Sequence, residues 1–337
     1  MSPGYFSMVM ATGIMSLAAH LLGVPVLPVA LFALNWALFA IIGLLALARL
    51  LWHPRKVLDD LFDHLKAPGF FTFVAACSIL GSQCLLIGGS LRLAILLGSV
   101  GLIFWVGLTY TIFTVLTVKQ NKPSLEKGIN GGWLLAVVAT QSMAVLAALI
   151  SMHMPQPIRM ELNFFALSMW LWGGMLYIWM MSLIFYRYTF FDFSPADLSP
   201  PYWINMGAMA ISTLAGSLLI INAPHAPFLL SIVPFIKGFT VFYWATGTWW
   251  IPMLVVLAIW RHGVRRFPFV YDPMYWGSVF PVGMYAASTL RMMEAMGLSF
   301  LGFLPHVMFG AGLTAWLALF VGQLRSLRRQ WAASASP

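Results

Sequence analysis

The residues with the clearest chemical potential in this sequence are the few charges that fall inside long apolar segments. Lys237 and Arg291 are the basic residues found there, and mid-segment carboxylate pairs of the kind that relay protons are absent. A charge inside a bilayer costs about 2.5–3.5 kcal/mol on insertion scales and therefore usually has a function. Cation pathways use rings of Asp or Glu, so this inventory favours anions.

One face of the apolar segment 275–297 combines a bulky ring, small side chains and a cation. Phe280, Met284, Ala287 and Arg291 recur at positions i, i+4, i+7 and i+11, which lie on one side of an α-helix. At 1.5 Å per residue, Arg291 lies roughly 16 Å from Phe280 along the helix. The pattern predicts a ring that plugs a channel and a cation that draws anions to its outer mouth.

Each of these assignments has a structural alternative. Pro281 lacks a backbone N–H and predicts a kink, so Phe280 and Pro281 are the candidate gate, although a buried Phe is also typical of ordinary packing. Arg291 either faces the pathway or pairs with Glu294 three residues later. Lys237 either attracts substrate or extends its ammonium group to the membrane surface.

A short pattern recurs five times along the chain: Ala, any residue, a small or polar residue, and then Met, Ile or Leu. Its copies begin at residues 11, 75, 139, 210 and 286, which are 64, 64, 71 and 76 residues apart. Small and hydroxylated residues at one depth predict a narrow, weakly polar channel, although they are also the usual residues of helix interfaces in membranes. The predicted lining residues are Gly13, Ser78, Gln141, Ser142, Ser212, Thr213, Ala287 and Ser288.

The composition is that of an integral membrane protein. Hydrophobic residues make up 61% of the 337 residues and charged residues only 8%, whereas a soluble chain carries about a quarter charged residues. Ten apolar stretches have the roughly 20 residues that a helix needs to cross a bilayer. They are 3–22, 27–51, 68–88, 92–118, 132–151, 162–187, 203–222, 229–261, 275–297 and 300–324.

The distribution of positive charge predicts the orientation. Fourteen Lys and Arg residues fall in loops after even-numbered spans and two in loops after odd-numbered spans, so the positive-inside rule places both termini in the cytoplasm. Because the basic residues lie in these loops, nucleic-acid binding is excluded as the meaning of the net charge of +9. We predict one transmembrane domain over residues 1–337, with ten helices as five helical hairpins in a quasi-fivefold ring around a central pore.

The sequence predicts no cofactor and no metal site. The seven histidines are scattered, none at mid-span and no pair four residues apart on one helix, and no glycine-rich phosphate loop or nucleophile–base pattern stands out. The favoured function is therefore a transporter or channel for anions rather than an enzyme. A membrane redox subunit that binds haem or quinone, and an assembly subunit without transport, are the alternatives.

Two segments resemble motifs of the tellurite-resistance/C4-dicarboxylate transporter family, which includes fungal malate and sulfite transporters and plant slow-type anion channels. Residues 6–14 (FSMVMATGI) resemble the first-helix motif of that family, and residues 275–285 (YWGSVFPVGMY) resemble its ninth-helix motif. The run from Asn130 to Ser142 is also similar, and Ala11 stands where Gly is expected in close relatives.

The resemblance covers essentially the whole chain and implies a fold and a partner set. It implies ten helices whose odd members line a pore, a Phe before Pro that occludes the pore, here Phe280, and a homotrimer with one pore per protomer. Together with the charge pattern, it predicts a multi-pass protein of the inner membrane. Its substrates would be C4-dicarboxylates such as malate, or small inorganic anions such as sulfite, nitrate, chloride or tellurite.

Overall fold

A computed structural model describes residues 2–268 and 271–334, and its regular elements are helices. Twelve α-helices follow one another along the chain. They are α1 (Ser7–Leu21), α2 (Leu27–Trp52), α3 (Pro54–Leu61), α4 (Phe71–Leu86), α5 (Leu91–Val118), α6 (Leu125–Gly128), α7 (Leu135–Ser151), α8 (Ile158–Phe190), α9 (Ile204–Asn222), α10 (Pro227–Ile259), α11 (Trp276–Met296) and α12 (Phe303–Ser334). The predicted all-α membrane fold is confirmed.

Nine helical stretches within the described ranges are long and apolar enough to cross a membrane. They include every long helix except α11, whose mean hydropathy is lowered by polar residues such as Arg291 and Glu294. A helix thus occupies each of the ten predicted spans, whereas the hydropathy of a membrane span is found for nine. The chain is a multi-pass membrane protein.

Five helices, here called the inner helices, are buried along most of their length: α1, α4, α7, α9 and α11. Each packs against two others, in the order α1–α4–α7–α9–α11 and back to α1. The outer helices α2, α5, α8, α10 and α12 are more exposed. Each outer helix packs against the inner helix before it and the inner helix after it, with α12 contacting α11 and α1.

One side-chain hydrogen bond joins each outer helix to the inner helix that follows it. A tryptophan indole N–H is the donor in four of the five bonds. They run from Asn35 to Gln83 (2.7 Å), from Trp105 to Thr140 (2.8 Å), from Trp170 to the carbonyl oxygen of Ser212 (2.8 Å), from Trp244 to Thr289 (3.0 Å) and from Trp316 to Thr12 (3.0 Å). Because a bilayer core offers no water to replace a lost partner, these bonds fix how neighbouring helices face each other.

We expect Trp316→Phe and Thr12→Val each to lower the melting temperature in detergent, because each removes the bond between the last helix and the first. Hydrogen bonds between membrane helices contribute about 0.6 kcal/mol on average and up to about 1.7 kcal/mol. A double-mutant cycle of thermal unfolding measures this coupling, and additive losses would contradict it. Thr314→Val is the matched control, because the Thr314 hydroxyl donates to Gly310 of its own helix.

Candidate ion pathway

Each inner helix is preceded by a short 3-10 turn rich in Pro, Gly and aromatic residues. The turns are Pro3–Phe6, Ala67–Phe70, Gly131–Leu134, Pro200–Trp203 and Pro273–Tyr275. Each turn contacts the next, and the last contacts the first. The N-terminal ends of the five inner helices therefore meet at one end of the molecule, where their dipoles place partial positive charge.

These turns correct the register of the sequence repeat. Their starts are 64, 64, 69 and 73 residues apart, whereas the starts of the sequence pattern are 64, 64, 71 and 76 residues apart. The fourth and fifth copies of the pattern are thus displaced by two and five residues. In the corrected register, the equivalents of Ser78 and Ser142 are Ile14, Ile211 and Met284.

A narrow cavity of about 30 Å³, here called the axial cavity, lies between the five inner helices, and each of them contributes to its wall. The wall consists of Ile14, Leu17, Leu21, Ser78, Ile79, Ser82, Leu86, Ser142, Val145, Leu149, Ile211, Leu214, Leu218, Met284, Ala287 and Arg291. Among these described residues, Arg291 is the one that carries a charge. An ion in this cavity therefore meets an almost wholly apolar wall.

Four of the residues predicted to line the path face the axial cavity: Ser78, Ser142, Ala287 and Arg291. The hydroxyls of Ser78 and Ser142 donate to the carbonyl oxygens of Val74 (3.1 Å) and Ala139 (2.7 Å) in their own helices. Their protons are therefore engaged within the helix, and the serines offer an ion only weak stabilisation.

The other predicted lining residues lie away from the axial cavity: Gly13, Gln141, Ser212, Thr213 and Ser288. A Cβ on Gly13 would lie 2.5 Å from Cγ2 of Ile79, so only glycine fits between α1 and α4. The amide of Gln141 donates to the carbonyl oxygen of Trp170 on α8 (3.0 Å). These small and polar residues allow close helix packing, which was the alternative interpretation of the repeat.

A wider cavity of about 560 Å³, here called the vestibule, lies at the ring of 3-10 turns. Beyond the turns it reaches Met10, Leu135, Ile204 and Phe280 on the inner helices. The sequence pattern does not point to the vestibule, because the turns are too short to produce a periodic signal. The repeated combination of Pro or Gly with an aromatic residue ahead of each inner span is the signal that could have located it.

Three charged residues beside the 3-10 turns also line the vestibule: Arg49, Asp60 and Lys66. The Asp60 carboxylate lies 2.5 Å from Nη2 of Arg49 and 3.1 Å from Nζ of Lys66. Burial alone would raise the pKa of Asp60, but the hydrogen bonds and charges of its two partners hold that pKa below its usual value. Asp60 is therefore ionised at neutral pH, and the three residues together carry a charge of +1.

Phe280 lies between the two cavities. Its side chain is 1% exposed and borders the vestibule, whereas Met284, one turn further along α11, borders the axial cavity. Pro281 lies inside α11 and packs closely against α9, because a Cβ on Gly207 would lie 2.7 Å from Cγ of Pro281. This contact holds the segment of α11 that carries the Phe280 ring.

The two basic residues predicted inside the spans have different environments. Arg291 lines the axial cavity and also pairs with Glu294 at 2.5 Å, so it combines both of the roles considered from the sequence. Lys237 is exposed on the outer helix α10 and lines neither the axial cavity nor the vestibule.

Together these features define an α-helical membrane protein with a vestibule and an axial passage through its buried helices. In the described part of the chain, no group of three or more His, Cys, Asp or Glu residues is arranged to hold a metal ion. The family model described as the voltage-dependent anion channel matches residues 1–324. The chain therefore belongs to that family, whose members transport anions and are not enzymes, and the resemblance found in the sequence is confirmed.

Individual relatives match the chain in part or almost completely. An uncharacterized membrane protein of Mycobacterium tuberculosis is 38% identical over 152 residues, which are 45% of this chain and 77% of the relative. Two uncharacterized transporters of Methanocaldococcus jannaschii are 26% and 25% identical over 94% of this chain, covering 90% and 89% of their own lengths.

Proposed function

We propose that the protein is a channel for small monovalent anions, with Phe280 and Pro281 as its gate. The observation that carries this proposal is the position of Phe280, whose ring borders the vestibule while the next turn of α11 borders the axial cavity. A buried ring at this junction separates the two cavities. Movement of the ring would join them into one passage.

The proposed architecture is a quasi-fivefold ring of five helical hairpins, with α11 as the ninth of ten spans. The closed series of contacts among the inner helices supports it, as does the matching position of each outer helix. The five hydrogen bonds that link each outer helix to the next inner helix follow the same order around the ring.

The charges at the two ends of the passage favour anions. At the vestibule, five helix N-termini converge beside a net charge of +1 from Arg49, Asp60 and Lys66. At the opposite end, Arg291 lines the axial cavity. Positive potential at both mouths concentrates anions without a binding site that would hold them tightly.

The axial cavity favours small, singly charged ions over larger or doubly charged ones. A volume of about 30 Å³ has room for only one or two groups the size of a water molecule. A second negative charge in an apolar, unpaired setting is also costly. We therefore propose chloride and nitrate as substrates in preference to malate and to doubly charged sulfite or tellurite.

We further propose that residues 1–337 form one transmembrane domain in the inner membrane, with both termini in the cytoplasm. This orientation rests on the distribution of Lys and Arg among the loops, and it places the vestibule on the cytoplasmic side. A homotrimer with one pore per protomer follows from the family resemblance. Native mass spectrometry of the purified protein tests the trimer, and labelling of a cysteine introduced at Ser2 in sealed vesicles tests the orientation.

Planar-bilayer recording and proteoliposome flux with chloride, nitrate, sulfite and malate test the proposed function. We expect currents carried by chloride and nitrate and little malate flux. Proton-coupled malate uptake without current would identify a carrier instead. A visible haem absorption band in the purified protein would favour the redox alternative.

We expect Arg291→Ala to reduce chloride flux about threefold to tenfold, because it removes the positive charge at the outer end of the axial cavity. A full unit charge at about 7 Å and an effective dielectric constant of about 20 is worth roughly 2 kcal/mol, and pairing with Glu294 reduces this. Glu294→Gln leaves the guanidinium unpaired and is expected to change flux in the opposite direction. An unaltered flux and reversal potential in Arg291→Ala would contradict a role for Arg291 in conduction.

We expect Asp60→Asn to raise anion conductance at low salt about twofold to threefold, because the charge of the vestibule group changes from +1 to +2. The increase should fade at high salt, where screening shortens the reach of the charge. Because the pKa of Asp60 lies below its usual value, the wild-type protein should gain this increase only at pH below the ordinary carboxylate range. Exposed Asp59, the neighbouring residue, provides the control Asp59→Asn.

A further inference from the structure

A third cavity, of about 430 Å³, lies between α10 and α12 at the same end of the molecule as the vestibule. We call it the α10–α12 crevice. Its walls include Leu254, Ala258 and Arg261 on the α10 side, and Ala315, Leu319 and Gly322 on α12. All six residues belong to membrane-span stretches, so the crevice joins the apolar interior of the membrane to its surface.

Arg261 carries the positive charge of this crevice. Its Nη1 donates to the carbonyl oxygen of Leu198, and its guanidinium carbon lies 4.5 Å from the centre of the Phe267 ring. Its Nε is buried and makes no hydrogen bond, and no carboxylate of the described residues forms an ion pair with it. A buried cationic donor without a partner is costly, so this position favours an anionic ligand.

The surroundings of the crevice restrict the chemistry of that ligand. Arg265 and Arg266 follow Arg261 on the chain, and Arg325 lies one helical turn beyond Gly322 on α12. A free phosphate would satisfy these charges but would leave the apolar wall formed by Leu254 and Leu319 uncovered. A ligand with a negative head and an apolar chain satisfies both parts of the site.

We propose that the α10–α12 crevice binds an anionic phospholipid. The lipid phosphate accepts hydrogen bonds from Arg261, and one acyl chain lies along Leu254 and Leu319. Basic pockets between membrane helices bind anionic lipid head groups by the same combination of charge and apolar contact. This binding does not depend on whether the axial cavity conducts ions.

Native mass spectrometry of the full-length protein with phosphatidylglycerol or phosphatidylcholine of equal chain length tests the proposal. We expect retained phosphatidylglycerol and a higher melting temperature with it than with phosphatidylcholine. Arg261→Gln should weaken phosphatidylglycerol binding roughly tenfold, since a charge-assisted hydrogen bond is lost, and Arg261→Lys should restore part of it. Arg328→Gln, which changes an exposed arginine on α12 outside the crevice, is the matched control.

A steric variant separates the crevice from general surface electrostatics. Ala258→Trp keeps Arg261 but fills the cavity, and it should also abolish the preference for phosphatidylglycerol. Inorganic phosphate at the same concentration should not displace the lipid. The proposal is overturned if Arg261→Gln binds phosphatidylglycerol as the wild type does, if the protein binds both lipids equally, or if inorganic phosphate gives the full thermal shift.

Discussion

Phe280→Ala is expected to raise chloride conductance at least tenfold. The Phe280 ring is buried between the vestibule and the axial cavity, and its removal joins the two spaces along the axis. Each 1.4 kcal/mol taken from a barrier is worth a factor of ten in rate, and a side chain that blocks the path contributes more than that. Phe280→Leu, which keeps part of the volume, should give an intermediate conductance. Single-channel recording in planar bilayers measures both.

Phe242→Ala is the matched control for this experiment. Phe242 is 49% exposed on the outer helix α10, so its truncation should leave the conductance unchanged. Truncation of a buried Phe costs about 3–5 kcal/mol of stability, so the melting temperature and elution profile of Phe280→Ala need to be measured as well. Wild-type conductance in a well-folded Phe280→Ala protein would refute the gate.

The long helices were predictable because continuous apolar runs of this length have no other stable form in a bilayer. Their ends were less predictable, since polar and aromatic residues continue a helix beyond the apolar run. For example, α8 extends over Ile158–Phe190, whereas the apolar segment covers 162–187. The 3-10 turns ahead of the inner helices are set by contacts with neighbouring turns, and local sequence carries no periodic signal for such contacts.

The lining residues were predictable only where the repeat register was right. The copies on α1, α4 and α7 are in register, and Ser78 and Ser142 line the axial cavity. On α9, small residues at Ala208, Ala210 and Ser212 fit two registers equally well. On α11, Pro281 occupies the place of the repeated Ala, so the pattern match falls further along the helix.

The pathway combines positive ends with an uncharged middle, and each part has a different origin in the sequence. Arg49 and Lys66 belong to the loops whose charge sets the orientation, yet they also line the vestibule. Apart from Arg291 at its outer end, the described wall of the axial cavity has no charged residue. Selectivity for anions would therefore come from the two mouths, and fast release from the weakly interacting wall between them.

A fixed negative charge in the middle of this wall is expected to abolish most anion flux. In a Phe280→Ala background, Ser142→Asp should reduce chloride conductance about a hundredfold. A unit charge roughly 6 Å from the passing ion, at an effective dielectric constant of about 20, repels it by about 3 kcal/mol. Burial favours the neutral acid, so the block should deepen as pH rises and relax as pH falls. Recordings over a pH series measure this titration.

Ser142→Asn is the uncharged control and should keep most of the conductance at every pH. Ile211→Asp, on the cavity wall of α9, should reproduce the pH-dependent block. Thr213→Asp tests the register directly, because Thr213 matches Ser142 in the sequence pattern but lies away from the cavity. A pH-dependent block by Thr213→Asp with none by Ile211→Asp would contradict the corrected register and restore the one read from the repeat.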